Sequence, residues 1–365
     1  SIFNIEGKLS QKKITKLQRV KNKAIESVIW FVNQFVSFPD TQIGWYFIVK
    51  KHFTNVLKEC EADILFTSSS PSTSHLIGRS LKSELNVPWV ADFRDLWTQN
   101  HISRRVYPLW KIEQKVEKNV LKMCDAITTV SKPLAEQLLS FHGKPVTVVT
   151  NGFDEDDYTR IHPGKINKTG KLRIVYTGKI YPNKQDPSLL FRTVKDLLNE
   201  GFIRRDELEI DFYGGDVSWA KRISHNMGME EIVNFCGLVP YSESIQKQME
   251  SDILLLLEWT DNQAKGVYTG KLFEYLGAGK PILAVGPKCG VVDELLRETG
   301  AGVLVSNHDE TKSVLKEWIT LFRQKGFIPY DGRGEIISKY SRRLQAKILA
   351  ELFDNLTEEK QAMRD

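Results

Sequence analysis

The stretch GVYTGKLFEYLGAGKPILAVG, residues 266–286, carries the start, the body and the stop of a short helix, followed by a strand. Thr269 is an N-cap side chain, while Gly277, Gly279 and then Pro281 are stop signals. PILAVG (281–286) has the unbroken apolar run of a buried strand. Lys271 is the residue that decides the reading. A lysine in the first turn faces the positive end of the helix dipole, which costs a few tenths of a kcal/mol. That conflict vanishes if an anion binds there, because the free backbone amides and the Lys271 ammonium then point at one ligand. Glu274 follows three residues later on roughly the same face, placed to accept hydrogen bonds from a ribose diol. The plain alternative is an amphipathic helix with a solvated lysine and glutamate.

A chain of 365 residues is too long for one ordinary core, so two domains are expected. No apolar run approaches the ~20 residues of a membrane span, and SVIWFVNQFVSF (27–38) is interrupted by polar residues. Cys60, Cys124, Cys236 and Cys289 form no C-x-x-C pair, which suits reduced thiols in a cytoplasmic protein. The first sixty residues hold ten Lys/Arg against four Asp/Glu, whereas the whole chain is only +5. Mixed with Trp30, Phe31, Phe35, Trp45, Tyr46 and Phe47, that basic segment suits peripheral contact with an anionic membrane, at its inner face. The alternative is a helix with a solvated basic face and a buried aromatic one. No nucleic-acid-binding module is recognisable.

Helix patterns over 11–36 and 43–59 precede an alternation of strands and helices. Strands are expected at 62–69, 87–93, 125–131 and 145–152, with helices at 72–85, 106–123 and 132–141. After a polar linker at 158–171 come strands at 172–178, 208–215, 232–239, 252–259, 281–286 and 301–306. Helices at 186–200, 216–227, 242–250, 290–298, 308–325 and 334–358 accompany them. This pattern means an α/β chain with two Rossmann-like parallel sheets, each covered on both faces. Four strands before the linker against six after it, and an opening in helix, make the first domain look incomplete at its N-terminus. Expected boundaries are 1–158, 159–345 and a terminal helix over 346–365.

Ligands of open parallel sheets sit beyond the carboxyl ends of the strands. Gly178, Lys179 and Lys184 lie at the end of the first strand of the second series, where the two lysines and Lys271 can neutralise a diphosphate without a metal. Gly214 and Gly215 let a ligand approach the backbone, and Leu238 and Val239 follow the third strand, where a flat base can rest. In the first half, Asp92, Arg94 and Asp95 crowd the end of a buried strand, either as a structural pair or as a substrate site. His75 reads as a helix-surface histidine, and His101 as a weak loop candidate. Asp154 and Asp156 spell D-x-D but read as a solvated loop. Fingerprints of dinucleotide binding, the P-loop, serine hydrolases and zinc proteases are absent from the sequence.

YTGKIYPNK (176–184), FYGGD (212–216), FCGLVPYSE (235–243) and GKLFEYLGAGKPI (270–282) together resemble the retaining glycosyltransferases of the GT-B fold, the family 4 often labelled glycosyl transferases group 1. DILFTSSSPSTSHLIG, PWVADFRDLW, AITTVSKPLAEQL and TNGFDEDDY in the first half look like a bacterial branch that builds surface polysaccharides. The resemblance implies two Rossmann-like domains facing a cleft, with the donor on the second and the terminal helix crossing back to the first. It implies that Lys179 and Lys184 meet the donor diphosphate, that Thr269, Gly270 and Lys271 cradle phosphate, and that Glu274 binds the ribose. The family often has a further glutamate eight residues earlier, on the donor sugar. Here that position is Gly266, and Glu258 is the substitute.

The expectation is therefore a cytoplasmic hexosyltransferase moving a sugar from a nucleotide-diphosphate sugar to a glycan or lipid-linked acceptor. No cofactor and no metal are expected, and Asp92 and Arg94 serve the acceptor. A nucleotide-sugar epimerase of the same fold and a non-catalytic binding subunit are the rival readings.

Overall fold

The computed structural model describes residues 37–59, 61–100, 105–161, 170–260 and 266–362, with Ser27, Trp30, Phe31, Gln34 and Phe35 before them. Nearly all of the helix expected over 11–36 lies outside the described residues, as do Cys60, His101 and the middle of the linker. Two compact units divide the chain at residues 127 and 128.

The first series runs α1 (Ile43–Glu59), β1 (Leu65–Ser69), α2 (Thr73–Leu85), β2 (Trp89–Phe93), α3 (Leu109–Leu121), β3 (Ala126–Thr129), α4 (Lys132–His142) and β4 (Val146–Val148). Its strands form a sheet in the order β1-β2-β3-β4, with Leu65 opposite Trp89 in a parallel register. Every residue of β2 is buried: Trp89, Val90, Ala91 and Phe93 as their apolar side chains require, and Asp92 among them. His75 is not on the surface. It is fully buried, with Nδ1 2.9 Å from Thr67 Oγ1 and its ring 4.7 Å from that of Phe93. One turn on, Gly78 lets α2 press against Trp89, since a Cβ there would come within 2.8 Å of the indole.

The second series runs α5 (Glu155–Arg160), β5 (Leu172–Thr177), α6 (Ser188–Asn199), β6 (Leu208–Tyr213), α7 (Ser218–Asn226), β7 (Val233–Gly237), α8 (Tyr241–Met249) and β8 (Ile253–Leu257). It continues with α9 (Gly270–Ala278), β9 (Ile282–Val285), α10 (Val291–Thr299), β10 (Gly302–Val305), α11 (His308–Lys325), α12 (Gly334–Ile337) and α13 (Arg342–Ala362). The six strands are parallel in the order β10-β9-β8-β5-β6-β7. Because side chains alternate across a strand, β8 feeds two cores. Ile253, Leu255 and Leu257 join α6 and α11 on one face; Leu254 and Leu256 join α9 and α10 on the other.

Two further expectations need correction. The helix expected over 334–358 is broken at Ser341, which is extended because it bridges to Phe153, and Arg342 N donates to the Phe153 carbonyl at 2.8 Å. The supposed loop and linker start at 154–160 is α5, capped by Asp154, whose carboxylate accepts from Asp156 N at 3.1 Å.

Candidate functional site

β5 and β6 end beside each other, and two glycines shape that edge. Gly178 takes φ +112°, and its N–H donates to the Tyr213 carbonyl at 2.7 Å. A Cβ on Gly214 would stand 2.1 Å from the Gly178 carbonyl oxygen, so no side chain fits there. Gly215 differs: a Cβ would make only ordinary contact with Leu238, at 3.6 Å. Beyond these ends lies a groove of about 430 Å³. Gly178, Gly214, Leu238, Val239, Lys271 and Glu274, all expected from sequence, line it together. Thr177, Tyr213, Tyr241 and Ser244 complete the lining. Leu238 is 81% exposed, which leaves an apolar side chain open at the rim.

α9 supplies the charge. Thr269 occupies the N-cap with extended backbone, but its hydroxyl accepts from no helix amide and is buried without a hydrogen-bond partner among the described residues. The expected cap bond is therefore not made. Leu272 N donates to the Thr269 carbonyl at 3.1 Å, which leaves the amides of Gly270 and Lys271 as the open donors of the first turn, and Gly270 faces open space. Lys271 is half-buried, with Nζ 5.2 Å from the Tyr176 ring centroid. Burial holds its pKa below the ordinary lysine value, while the charges of Glu258 and Glu274 pull the other way.

Glu274 is raised by burial, against the Gln248 hydrogen bond and Lys271, which lower it. Gln248 Nε2 donates to Glu274 Oε2 at 3.1 Å and to Thr177 Oγ1 at 3.0 Å, tying the carboxylate to the end of β5. The Glu274 carbonyl accepts from Tyr158 Oη at 2.7 Å, and Thr177 N donates to Tyr275 Oη at 3.0 Å. Gly277 makes room for Tyr158, because a Cβ would fall 2.5 Å from its ring. Burial also pushes the Glu258 carboxyl up to about 7, despite the opposing charge of Lys271.

Other expected residues lie outside this lining. Lys179 is exposed at the end of β5, its ammonium 5.0 Å from the Tyr181 ring centroid. Lys184 is half-buried, and its carbonyl accepts from Thr260 N at 2.9 Å. In the first unit, Asp92 is buried, accepts from Ser68 Oγ at 2.7 Å, and lies 3.6 Å from Arg94 Nη1. No cluster able to hold a metal ion occurs among the described residues. Tyr158, Ser244 and Gln248 were missed from sequence. Tyr241 and its neighbours stood inside the FCGLVPYSE motif, but Gln248 is marked only by its helical phase relative to α9.

Residues 19–157 match the family model described as Glycosyltransferase Family 4. No curated protein sequence matches the chain. Among solved structures, Anabaena HepE in complex with UDP is similar with a TM-score of 0.63 at 15% identity, over 85% of this chain and 82% of that one. A sucrose-phosphate synthase from Thermosynechococcus elongatus gives 0.58 at 14% identity, over 85% and 77%. The lipopolysaccharide outer core galactosyltransferase WaaB, in its apo form, gives 0.53 at 16% identity, over 85% and 79%. The fold, α/β with two parallel-strand sheets, matches that of the GT-B glycosyltransferases.

Proposed function

We propose that the chain is a retaining glycosyltransferase. It moves a hexose from a nucleoside-diphosphate sugar to a glycan or lipid-linked acceptor in surface-polysaccharide synthesis. The observation that carries this is the groove in which Lys271 and Glu274, one helix turn apart, face the ends of β5 and β6. The Family 4 match and the UDP held by HepE support it. When the bond from the anomeric carbon to the diphosphate breaks, negative charge grows on the departing oxygen. Lys271 and the uncapped amides of α9 stabilise that charge, with Lys179 and Lys184 adding to the field from the edge of β5. Glu274 accepts from the ribose, and Leu238 with Val239 supports the base. Because side chains and backbone supply the positive charge, the reaction runs without a metal. Asp92 and Arg94 serve the acceptor. The exposed aromatic face of α1 rests at the inner face of the membrane.

A second reading has its own observation. A Cβ on Gly266 would lie 3.2 Å from Pro133 Cβ and 3.3 Å from Leu134 Cδ2, and the Gly266 carbonyl accepts from Ser131 Oγ at 2.5 Å. A side chain at position 266 would thus press on the start of α4, which favours a nucleotide-sugar-binding subunit without turnover. Incubation with UDP-, GDP- and dTDP-sugars separates the readings. Binding with slow hydrolysis is the result expected of the transferase, binding without turnover that of the subunit, and epimer formation that of an epimerase. Absence of binding to any nucleotide sugar overturns all three.

A further inference from the structure

Glu258 follows directly on β8, and β8 pairs with β5 where the strand order of the six-stranded sheet turns round. Ligands of open parallel sheets settle beyond the strand ends at such a place. Glu258 N donates to the Val285 carbonyl at 2.9 Å, so the residue prolongs the ladder at this edge. The neighbouring strand makes room for it: a Cβ on Gly286 would fall 2.4 Å from Glu258 Cβ. The side chain this space accommodates is unusual. Glu258 is only 9% exposed, and its Oε1 has no hydrogen-bond partner among the described residues. A buried carboxyl oxygen without a donor is a costly feature that calls for an explanation.

The charge that acts on Glu258 is Lys271 of α9, and the titratable group it faces on β5 is Tyr176. Val285 of β9 and Gly286, which follows it, are uncharged. Lys271 in turn is subject to Glu258 and Glu274, and its ammonium lies 3.7 Å from the Cβ position of Gly178, at the end of β5. Glu258 itself does not line the groove. Lys271, on which its charge acts, does line it.

We propose that Glu258 is a positioning residue that sets the charge Lys271 offers to a diphosphate, and that its carboxyl takes up a proton when the diphosphate binds. The proposal deepens the nucleotide-sugar reading and rests on it. An ionised Glu258 offsets part of the field of the ammonium and repels the incoming anion. Once protonated, it leaves the full charge of Lys271 to the ligand. The proton comes from solvent, so no group on the donor has to supply one. Burial already lifts this carboxyl to about 7, so both forms are populated near neutral pH and the proton is easily gained. The sign follows from linkage. Binding raises the carboxyl's pKa, so affinity is full below about 7 and weakens above it, by up to roughly tenfold per pH unit until the bound form also ionises.

The test is calorimetric titration with UDP at pH 8, in two buffers of different ionisation enthalpy, for the wild type and Glu258→Gln. Ionisation of UDP itself is common to both proteins and cancels in the comparison. The expected result is an extra uptake of close to one proton per UDP in the wild type, and a wild-type affinity that falls across pH 7–8.5 relative to the variant. Equal proton uptake and parallel pH profiles overturn the proposal while leaving the groove a nucleotide site. Absence of UDP binding to the wild type overturns the nucleotide reading and this proposal with it. Should Glu258→Gln not fold, the wild type is titrated with UDP-glucose, whose diphosphate does not titrate near neutrality. Difference infrared spectra at pH 8 then read the carboxyl apart from Lys271: a carboxylic-acid band gained on binding supports the proposal, and an unchanged carboxylate spectrum overturns it.

Discussion

The side chain of Lys271 runs across the face of Gly178, with Cε 3.2 Å and Nζ 3.7 Å from the point where that residue would carry a Cβ. A glycine at the end of β5 and a lysine in the first turn of α9 are ninety-odd residues apart in sequence yet form one surface of the groove. The glycine serves twice. It accepts the φ of +112°, and it leaves the lysine its path.

Gly178→Ala should therefore do more than strain the backbone. Gly228, at φ +66° with nothing within 4 Å of its Cβ position, is the control that adds strain alone. Both substitutions should cost about 1–2 kcal/mol and lower the melting temperature. Only Gly178→Ala should also weaken UDP, because it pushes Lys271 aside. Equal UDP affinity in the two variants would show that this contact has no bearing on the ligand.

The fold was legible because its signals are local. The run DILLLLEW (252–259) and its counterparts are too apolar to be anything but strands buried on both faces, and glycines mark the ends of β5, β6 and β7. What escaped depends on contacts distant in sequence. Ser341 breaks its helix only because Phe153 pairs with it, and nothing within 334–358 announces that. His75 enters the core because Thr67 and Phe93 receive it. Gln248 orients Glu274 from another helix, and Thr269 looks like a cap yet leaves the helix uncapped. Lys179 and Lys184 follow β5 in the chain, but sequence could not tell which way their side chains would turn.

On the proposed reading, in which lysines and helix amides supply the positive charge, UDP affinity should be the same with and without EDTA. Asp154 is already engaged in capping α5, which takes it away from metal ligation. A loss of binding in EDTA that Mg²⁺ or Mn²⁺ restores would instead reinstate the Asp154 and Asp156 pair.

On α1, Trp45, Phe47 and Ile48 are exposed alongside Lys50 and Lys51, while Phe53 turns inward. No described helix is long and apolar enough to cross a membrane. Sedimentation with phosphatidylserine vesicles should fall as salt rises, because exposed charges are screened within ~8 Å at physiological ionic strength. Phe47→Ser together with Ile48→Ser should reduce it further at fixed salt. Equal recovery on neutral and anionic vesicles, unchanged by the substitutions, would exclude lipid as the partner of this face.

The central claim is that Lys271 meets the diphosphate while Glu274 meets the ribose, and calorimetry with two nucleotides and two variants tests it most directly. Glu274→Gln should weaken UMP and UDP by a similar factor, roughly tenfold or more, as loss of a charged hydrogen bond of about 1.5–3 kcal/mol requires. Lys271→Ala should weaken UDP well beyond UMP, because the lost ammonium faces the distal phosphate. If all four affinities equal those of the wild type, α9 is a structural helix and the account of the groove is wrong.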